Sequence, residues 1–214
     1  IKSQRFLADQ SFGEFSTLQE LMKNLPKDTH LHLANSLSVR YANFIGLKNQ
    51  TGIRVWANRG TSGIDGCTST AAGWAKANPD EDVLLITGDM SFVYDSNGLW
   101  NNRLPENLKI IVINNQGGGI FRIIEGSDSD EERERFFEAH HAVNIEQLAS
   151  AFEISHTKAH DKHSLQNVLV SFLNKRGVGI LEVATPTKVN DQILKEYFKK
   201  IAEHFKLLEK QEAR

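Results

Sequence analysis

The sequence predicts an α/β fold: a doubly wound, mostly parallel sheet of about six strands with helices on both faces. Three observations carry that expectation. Val83–Thr87 and Ile110–Ile113 are short apolar runs rich in branched residues, the composition of strands buried on both faces. Stretches with apolar residues at helical spacing alternate with such runs along the chain. The intervals between runs are long enough for the helical crossovers that parallel pairing needs.

Taken in order, Ile1–Phe15 has no clear period and reads as a linker remnant. Ser16, with Gln19 three residues on, has the form of an N-cap with its capping box. Leu18, Leu21, Met22 and Leu25 then form the stripe of a packing helix stopped by Pro26. Residues 1–28 are thus a linker remnant and packing helix, and 29–214 one domain. Thr29–Ala34 reads as the first strand. His30 and His32 face one side of it, but no nearby acid or cysteine completes a metal set. Ser36 can cap a helix from Leu37 to about Gly46. Gly52–Ala57 is a second strand with Trp56 packed, and Ile64–Ala77 a helix. Val83–Thr87 follows, then a crossover helix within Ser91–Asn102, then the Ile110 strand.

Residues 127–135 are a charge run, the composition of a solvated face; their position also allows a lid. Asn144–Phe152 and Ser164–Lys175 read as helices, with His156, His160 and His163 as surface histidines around a strand-to-loop change. Ile180–Val183 is the last core strand. From Val189 onward, helical period holds almost to the end.

The totals exclude several classes. At 214 residues, 40% hydrophobic, 24% charged and net charge −2, the chain lacks the basic excess of a nucleic-acid binder. No apolar run approaches the roughly 20 residues that span a bilayer. No signal peptide is visible. The lone cysteine, Cys67, excludes an intrachain disulfide and fits a reducing compartment. A start at Ile1 rather than Met reads as excision from a longer chain.

Chemistry concentrates between Gly88 and Phe121. Asp89 follows one buried strand and Asn114-Asn115 end the next, with 24 residues between Asp89 and Asn114. Parallel neighbours deliver their carboxyl ends to one sheet edge, where open α/β folds bind ligands, so Asp89 and Asn115 should converge. A carboxylate and an amide oxygen on one rim suit a hard cation such as Mg²⁺, which keeps an oxygen shell and bridges to phosphate. Glycines 117, 118 and 119 allow close approach of a ligand to backbone. Ser91 and Phe92, opening the next helix, can offer N–H groups to an anion. Arg40 shares a helix face with Ser36 and could fork onto a carboxylate; alone, it reads more simply as solvent-exposed. Arg59, in the glycine-rich turn Asn58–Gly63, is a second carboxylate candidate. That turn is not a dinucleotide fingerprint.

Gly88-Asp89, then 24 residues, then Asn114-Asn115 resembles the thiamin-diphosphate signature, in which Mg²⁺ holds the cofactor's diphosphate. Its third position, usually Gly, is Met90 here. Asn35-Ser-Leu-Ser-Val-Arg40, residues 58–66 and residues 114–121 together resemble the C-terminal domain of the MenD family. These are synthases of 2-succinyl-5-enolpyruvyl-6-hydroxy-3-cyclohexene-1-carboxylate in menaquinone biosynthesis. The likeness covers roughly Leu31–Pro186.

The resemblance implies a thiamin-diphosphate-binding fold, with Mg²⁺ (or Mn²⁺) on Asp89, Asn115 and the Gly117 carbonyl. It implies cofactor contacts at Ser36, Ser62, Ile64, Gly88, Ser91, Phe92 and Ile120. Ile64 would prop the cofactor in its bent form; by itself it reads as a core residue. Implied substrate contacts are Ser36, Arg40, Arg59, Ile120 and Phe121, the last two reading equally as an apolar turn tucked into the core. The implied reaction decarboxylates 2-oxoglutarate and adds the succinyl unit to isochorismate. The implied partner is a pyrimidine-binding N-terminal domain, from a second subunit of a cytoplasmic homodimer or homotetramer. That domain would bring the cofactor-activating glutamate, so no catalytic base is assigned in this chain and the fragment alone is expected to be inactive.

Two other functions stay in view. An acetolactate-synthase-like decarboxylase or carboligase shares the Gly-Asp/Asn-Asn pair, though paired arginines do not suit a pyruvate-only pocket. A non-catalytic phosphate-binding module could use the Ser36 and Ser62 turns, but no P-loop pattern occurs.

Overall fold

The computed structural model describes residues 11–47, 52–101, 103–123 and 130–212. The strands are β1 His30–Leu33, β2 Arg54–Trp56, β3 Val83–Gly88, β4 Leu108–Asn114, β5 Ser155–Ala159 and β6 Gly179–Ala184. They form one six-stranded sheet in the order β2-β1-β3-β4-β6-β5, every pair parallel. The expected doubly wound α/β sheet is therefore what the chain forms.

Alternate residues of the central strands feed two apolar layers, because successive strand side chains point to opposite faces. Leu84, Ile86, Ile111, Ile113, Leu181 and Val183 pack with helices α1 (Glu14–Lys23), α2 (Leu37–Ile45), α6 (Lys162–Asn174) and α7 (Asn190–Glu212). Val83, Leu85, Ile110, Val112 and Ile180 pack with α3 (Cys67–Ala77), α4 (Asp89–Tyr94) and α5 (Ile145–Ala151). The chain winds outward from β1 to β2, then returns to β3 on the other side of β1. The carboxyl ends of β1 and β3 therefore flank a topological switch point, the usual place for a ligand crevice.

Several local expectations are corrected. Gly13, not Ser16, is the N-cap of α1; Ser16 lies in the first turn and its Oγ accepts from the Gly13 N–H at 3.0 Å. α1 thus begins inside the stretch read as aperiodic, of which residues 1–10 lie outside the described residues. α3 begins at Cys67 rather than Ile64, because Gly66 caps it in a left-handed conformation with φ 72°. After β3 the helix starts at Asp89, ends at Tyr94 and is followed by a 3₁₀ turn at Ser96–Leu99. Asn102 and residues 124–129 lie outside the described residues.

Trp56, expected to be packed, is 37% exposed, because β2 is a three-residue edge strand with no strand beyond it among the described residues. Its ring still lies 4.5 Å from that of Trp74 and stacks with His30. His30 and His32 are buried in this aromatic group. His156 is not a surface residue. It sits on β5 with its Nε2 3.0 Å from Glu182. Among the described residues, no three His, Cys, Asp or Glu side chains gather as a metal cluster, and no helix is long and apolar enough to cross a membrane.

Candidate functional site

The end of β3 runs directly into α4, and the end of β4 into a loop. Gly88 pairs with Ile113 in register, so Asp89 and Asn115 leave the sheet at the same edge. They meet on one backbone group: the Gly117 N–H donates to Asp89 Oδ2 and to Asn115 Oδ1, each at 3.0 Å. Asp89 Oδ1 also accepts from the Met90 N–H at 2.7 Å, and His141 Nε2 lies 3.2 Å from Oδ2. Asp89 is 2% exposed. Burial pushes its pKa up, against the Met90 N–H, the His141 ring and the Gly117 N–H. The convergence expected from the sequence is present: a carboxylate and an amide oxygen within reach of one point, beside the Gly117 peptide.

A second acid joins them that sequence reasoning missed. Glu14, the first residue of α1, is buried, and its Oε1 accepts from Asn115 Nδ2 and from Asn190 Nδ2, the latter at 3.0 Å. Burial raises its pKa to about 7, with the Asn115 hydrogen bond opposing and the Asp89 charge adding. A sequence signal did exist. Glu14, Leu18 and Leu21 share a helix face at the i, i+4, i+7 spacing, so an acid sat on the buried stripe. His141 left no such trace.

These residues line a cavity of about 170 Å³. That is below the ~300 Å³ at which drug-sized ligand pockets begin. Its walls include Ser36, Ile64, Gly88, Ser91, Ile120 and Phe121 from the expected set, together with Asn35, Tyr41 and Phe137. Ser91 Oγ donates to the Ile64 carbonyl at 2.5 Å, tying the 58–66 turn to α4. Phe92 is fully buried in the opposite core layer and does not line the cavity, so only its backbone can serve the site.

Arg40, Arg59 and Ser62 are exposed and are not cavity walls. Both arginines nevertheless border it. Arg40 Nη1 donates to the Ser36 carbonyl and Arg59 Nη1 to Asn35 Oδ1, each at 2.7 Å. They flank the Asn35–Ser36 corner. Asn35 in turn donates to the Asn58 and Gly63 carbonyls, clamping that loop against β1. Ser62 adopts a positive φ of 57°, and its Oγ donates to the Arg59 carbonyl. Ser36 also has a positive φ, 69°, and caps α2 without a side-chain bond.

The segment after the charge run closes over this edge. The Gly118 N–H donates to the Glu138 carbonyl at 2.6 Å, and Arg122 bonds Glu134 and Glu138. Phe137 packs on Phe121 with ring centroids 5.7 Å apart. The described part of the charge run is thus tied to the cavity loop through Glu134 and Arg122, which also holds the buried carboxylate of Glu138 just beyond the run.

Residues 36–183 match the family model described as thiamine pyrophosphate enzyme, C-terminal TPP binding domain. The chain belongs to this family. Among curated proteins, the 2-succinyl-5-enolpyruvyl-6-hydroxy-3-cyclohexene-1-carboxylate synthase of Flavobacterium johnsoniae is 45% identical over 202 residues, 94% of this chain and 36% of that protein. The synthase of the same name from Flavobacterium psychrophilum is 45% identical over 94% of this chain, and that of Christiangramia forsetii 40% over 90%. The chain spans about a third of the length of these relatives.

The residues present fit the family's cofactor and a magnesium ion. Carboxylate, amide and peptide carbonyl are all hard oxygen donors. The glycine loop leaves no room for side chains: a Cβ on Gly117 would meet the Glu138 carbonyl at 2.6 Å, and one on Gly119 would meet Asn115 Nδ2 at 2.6 Å.

Proposed function

We propose that this thiamine pyrophosphate-binding domain is the diphosphate and metal grip of a 2-succinyl-5-enolpyruvyl-6-hydroxy-3-cyclohexene-1-carboxylate synthase acting in menaquinone biosynthesis. The convergence of Asp89, Asn115 and Gly117 at the rim of the cavity carries the reading. The relatives' shared name supports the choice of synthase.

In this reading Asp89, Asn115 Oδ1 and the Gly117 carbonyl hold Mg²⁺ or Mn²⁺. Ser36, Ser62, Gly88, Ser91 and the Phe92 and Ile120 backbones surround thiamin diphosphate, and Ile64 props it. When bound, the cofactor supplies the electron sink for decarboxylation. The chain's own residues bind, orient and keep water out. Ile120 and Phe121 wall the reacting end. Ser36 with Arg40 and Arg59, at the Asn35–Ser36 corner, takes the carboxylates of 2-oxoglutarate and isochorismate, for which forked guanidinium bonds are suited. The activating glutamate belongs to an N-terminal pyrimidine-binding domain contributed by a second subunit of a cytoplasmic homodimer or homotetramer.

The test is CO₂ release by the full-length parent protein with thiamin diphosphate and Mg²⁺, from 2-oxoglutarate and from pyruvate, each with and without isochorismate. Release from 2-oxoglutarate that rises strongly with isochorismate is expected. Turnover of pyruvate alone would move the protein to the acetolactate-synthase side, and no turnover of either would leave only a binding site.

A further inference from the structure

We propose that Glu14 is a positioning residue for the metal site, the acceptor that fixes which end of the Asn115 amide faces the cation. The inference rests on the metal set proposed above.

An asparagine amide has a donor end and an acceptor end of nearly the same shape, and only the oxygen can bind a cation. Asn115 is held at both ends. Its Nδ2 donates to Glu14 Oε1 and its Oδ1 accepts from the Gly117 N–H. A reversed amide would set its oxygen against the Glu14 carboxyl oxygen and turn N–H groups toward Asp89 and the ion. Glu14 itself is built in. Asn190 donates its Nδ2 to Glu14 Oε1 at 3.0 Å and accepts the Glu14 backbone N–H on Oδ1 at 2.9 Å. One residue of α7 thus grips both the backbone and the side chain of the first residue of α1. A Cβ at Gly119 would lie 2.6 Å from Asn115 Nδ2 and 3.3 Å from Glu14 Oε1, so the loop seals the contact.

Packing alone does not account for an acid here. Glu14 is 3% exposed, and among the described residues its carboxyl has amide partners and no cationic one. Apolar side chains of similar size often replace a whole buried polar or ionic cluster at no loss of stability. What an apolar residue cannot do is accept from Asn115. Outer partners that orient metal ligands typically carry about 10- to 100-fold in metal affinity.

The experiment titrates Mn²⁺ into the metal-free full-length parent protein with saturating thiamin diphosphate, read by electron paramagnetic resonance of free and bound ion, alongside Tm of the metal-free protein. Glu14→Met keeps the volume and removes the acceptor. It should raise the Mn²⁺ Kd about 10- to 100-fold and alter the bound-ion spectrum, with Tm of the metal-free protein lowered because two buried amides lose their acceptor. Glu14→Gln keeps a carbonyl oxygen that can accept from both asparagines, and should stay within about threefold of wild type, well short of the loss of an outer partner. If Glu14→Met does not fold, Asn190→Leu keeps Glu14 but removes its second donor, and should shift Kd the same way by a smaller factor. An unchanged Kd in Glu14→Met, or in Asn190→Leu where that variant stands in, overturns the proposal. So does a Glu14→Gln protein as impaired as Glu14→Met, which would make the charge rather than the amide direction decisive. Asp89→Ala separates the levels: if it still binds Mn²⁺ normally, the metal site itself is wrong, whereas loss there with normal binding in Glu14→Met removes only the role of Glu14.

Discussion

Asn114 and Asn115 are neighbours that point to opposite sides of the sheet, and each donates its Nδ2 to a buried glutamate. On one side is Glu182 of β6; on the other is Glu14 of α1. The two acids are nearly equally hidden, at 2% and 3% exposure. Their company differs. Glu182 has His156 at 3.0 Å, Lys158 at 2.9 Å and Asn114 at 2.9 Å. Burial alone would raise its pKa, but Lys158, Asn114 and His156 outweigh that and hold it below the usual carboxylate range. Among the described residues Glu14 has two amides, no lysine or arginine, and Asp89 as a negative neighbour, and is pushed up to about 7. Burial alone therefore does not set the state of these two acids; counter-charge does. The Glu182 corner is electrostatically complete, whereas the Asp89–Glu14 corner has room in its charge balance for a cation.

The largest effect that could break this contrast is Asp89→Ala. Magnesium-dependent binding of thiamin diphosphate by the full-length parent protein, followed by calorimetry, should weaken at least about 100-fold, since a lost ligand costs more than a lost outer partner. Stability of the metal-free protein should not fall. The fold raises the Asp89 pKa, so its ionisation costs stability in full above the folded value, and that cost fades as pH falls from there to the ordinary carboxylate value. A lower Tm with metal dependence intact would make Asp89 the structural acid instead.

Glu182→Gln should do the reverse. Breaking the His156–Glu182–Lys158 group should cost about 1–3 kcal/mol in urea denaturation at pH 7, the range for a buried polar partner lost, with Mg²⁺ affinity unchanged within about twofold, well inside the 10–100-fold of an outer partner. The sign with pH follows from its lowered pKa. The stabilisation is fully present above the unfolded carboxylate value and is lost as pH falls through the lower folded value. Wild-type stability should therefore drop more steeply than that of Glu182→Gln on acidification. Parallel acid limbs would mean that the ion pairs contribute nothing.

The same contrast explains what was legible in the sequence. β3 and β4 are apolar at nearly every position, so their placement, and with it the meeting of Asp89 and Asn115, followed from composition alone. Ser36, Ile64 and the 117–121 turn could be read because glycines and motif spacing mark backbone bends. The aromatic group around His30 could not, because Trp56 and Trp74 come from a three-residue edge strand and a helix whose contact no periodicity reports. Glu14 and His141 reach Asn115 and Asp89 across 101 and 52 positions. Such pairings are tertiary facts. Arg40 and Arg59 were legible as candidates, but their exposure and their ties to Ser36 and Asn35 depend on how the corner folds.

The smallest expected effect sharpens the contrast by dividing the Glu182 group. Lys158 is 53% exposed, and its side chain can return to water when unpaired, while His156 is 9% exposed and cannot. Only the lysine end of this pair is exposed, and that end is screened by water, so its worth falls toward that of a surface pair, about 0–1 kcal/mol. Lys158→Ala should therefore cost at most about 1 kcal/mol in urea denaturation at pH 7, and the difference should shrink further near 1 M salt, where the screening length falls to about 3 Å. Metal affinity should not move. A Lys158→Ala loss as large as that of Glu182→Gln would mean that the lysine, not the buried histidine and asparagine, completes the corner. The charge balance distinguishing Glu182 from Glu14 would then rest on a single surface cation.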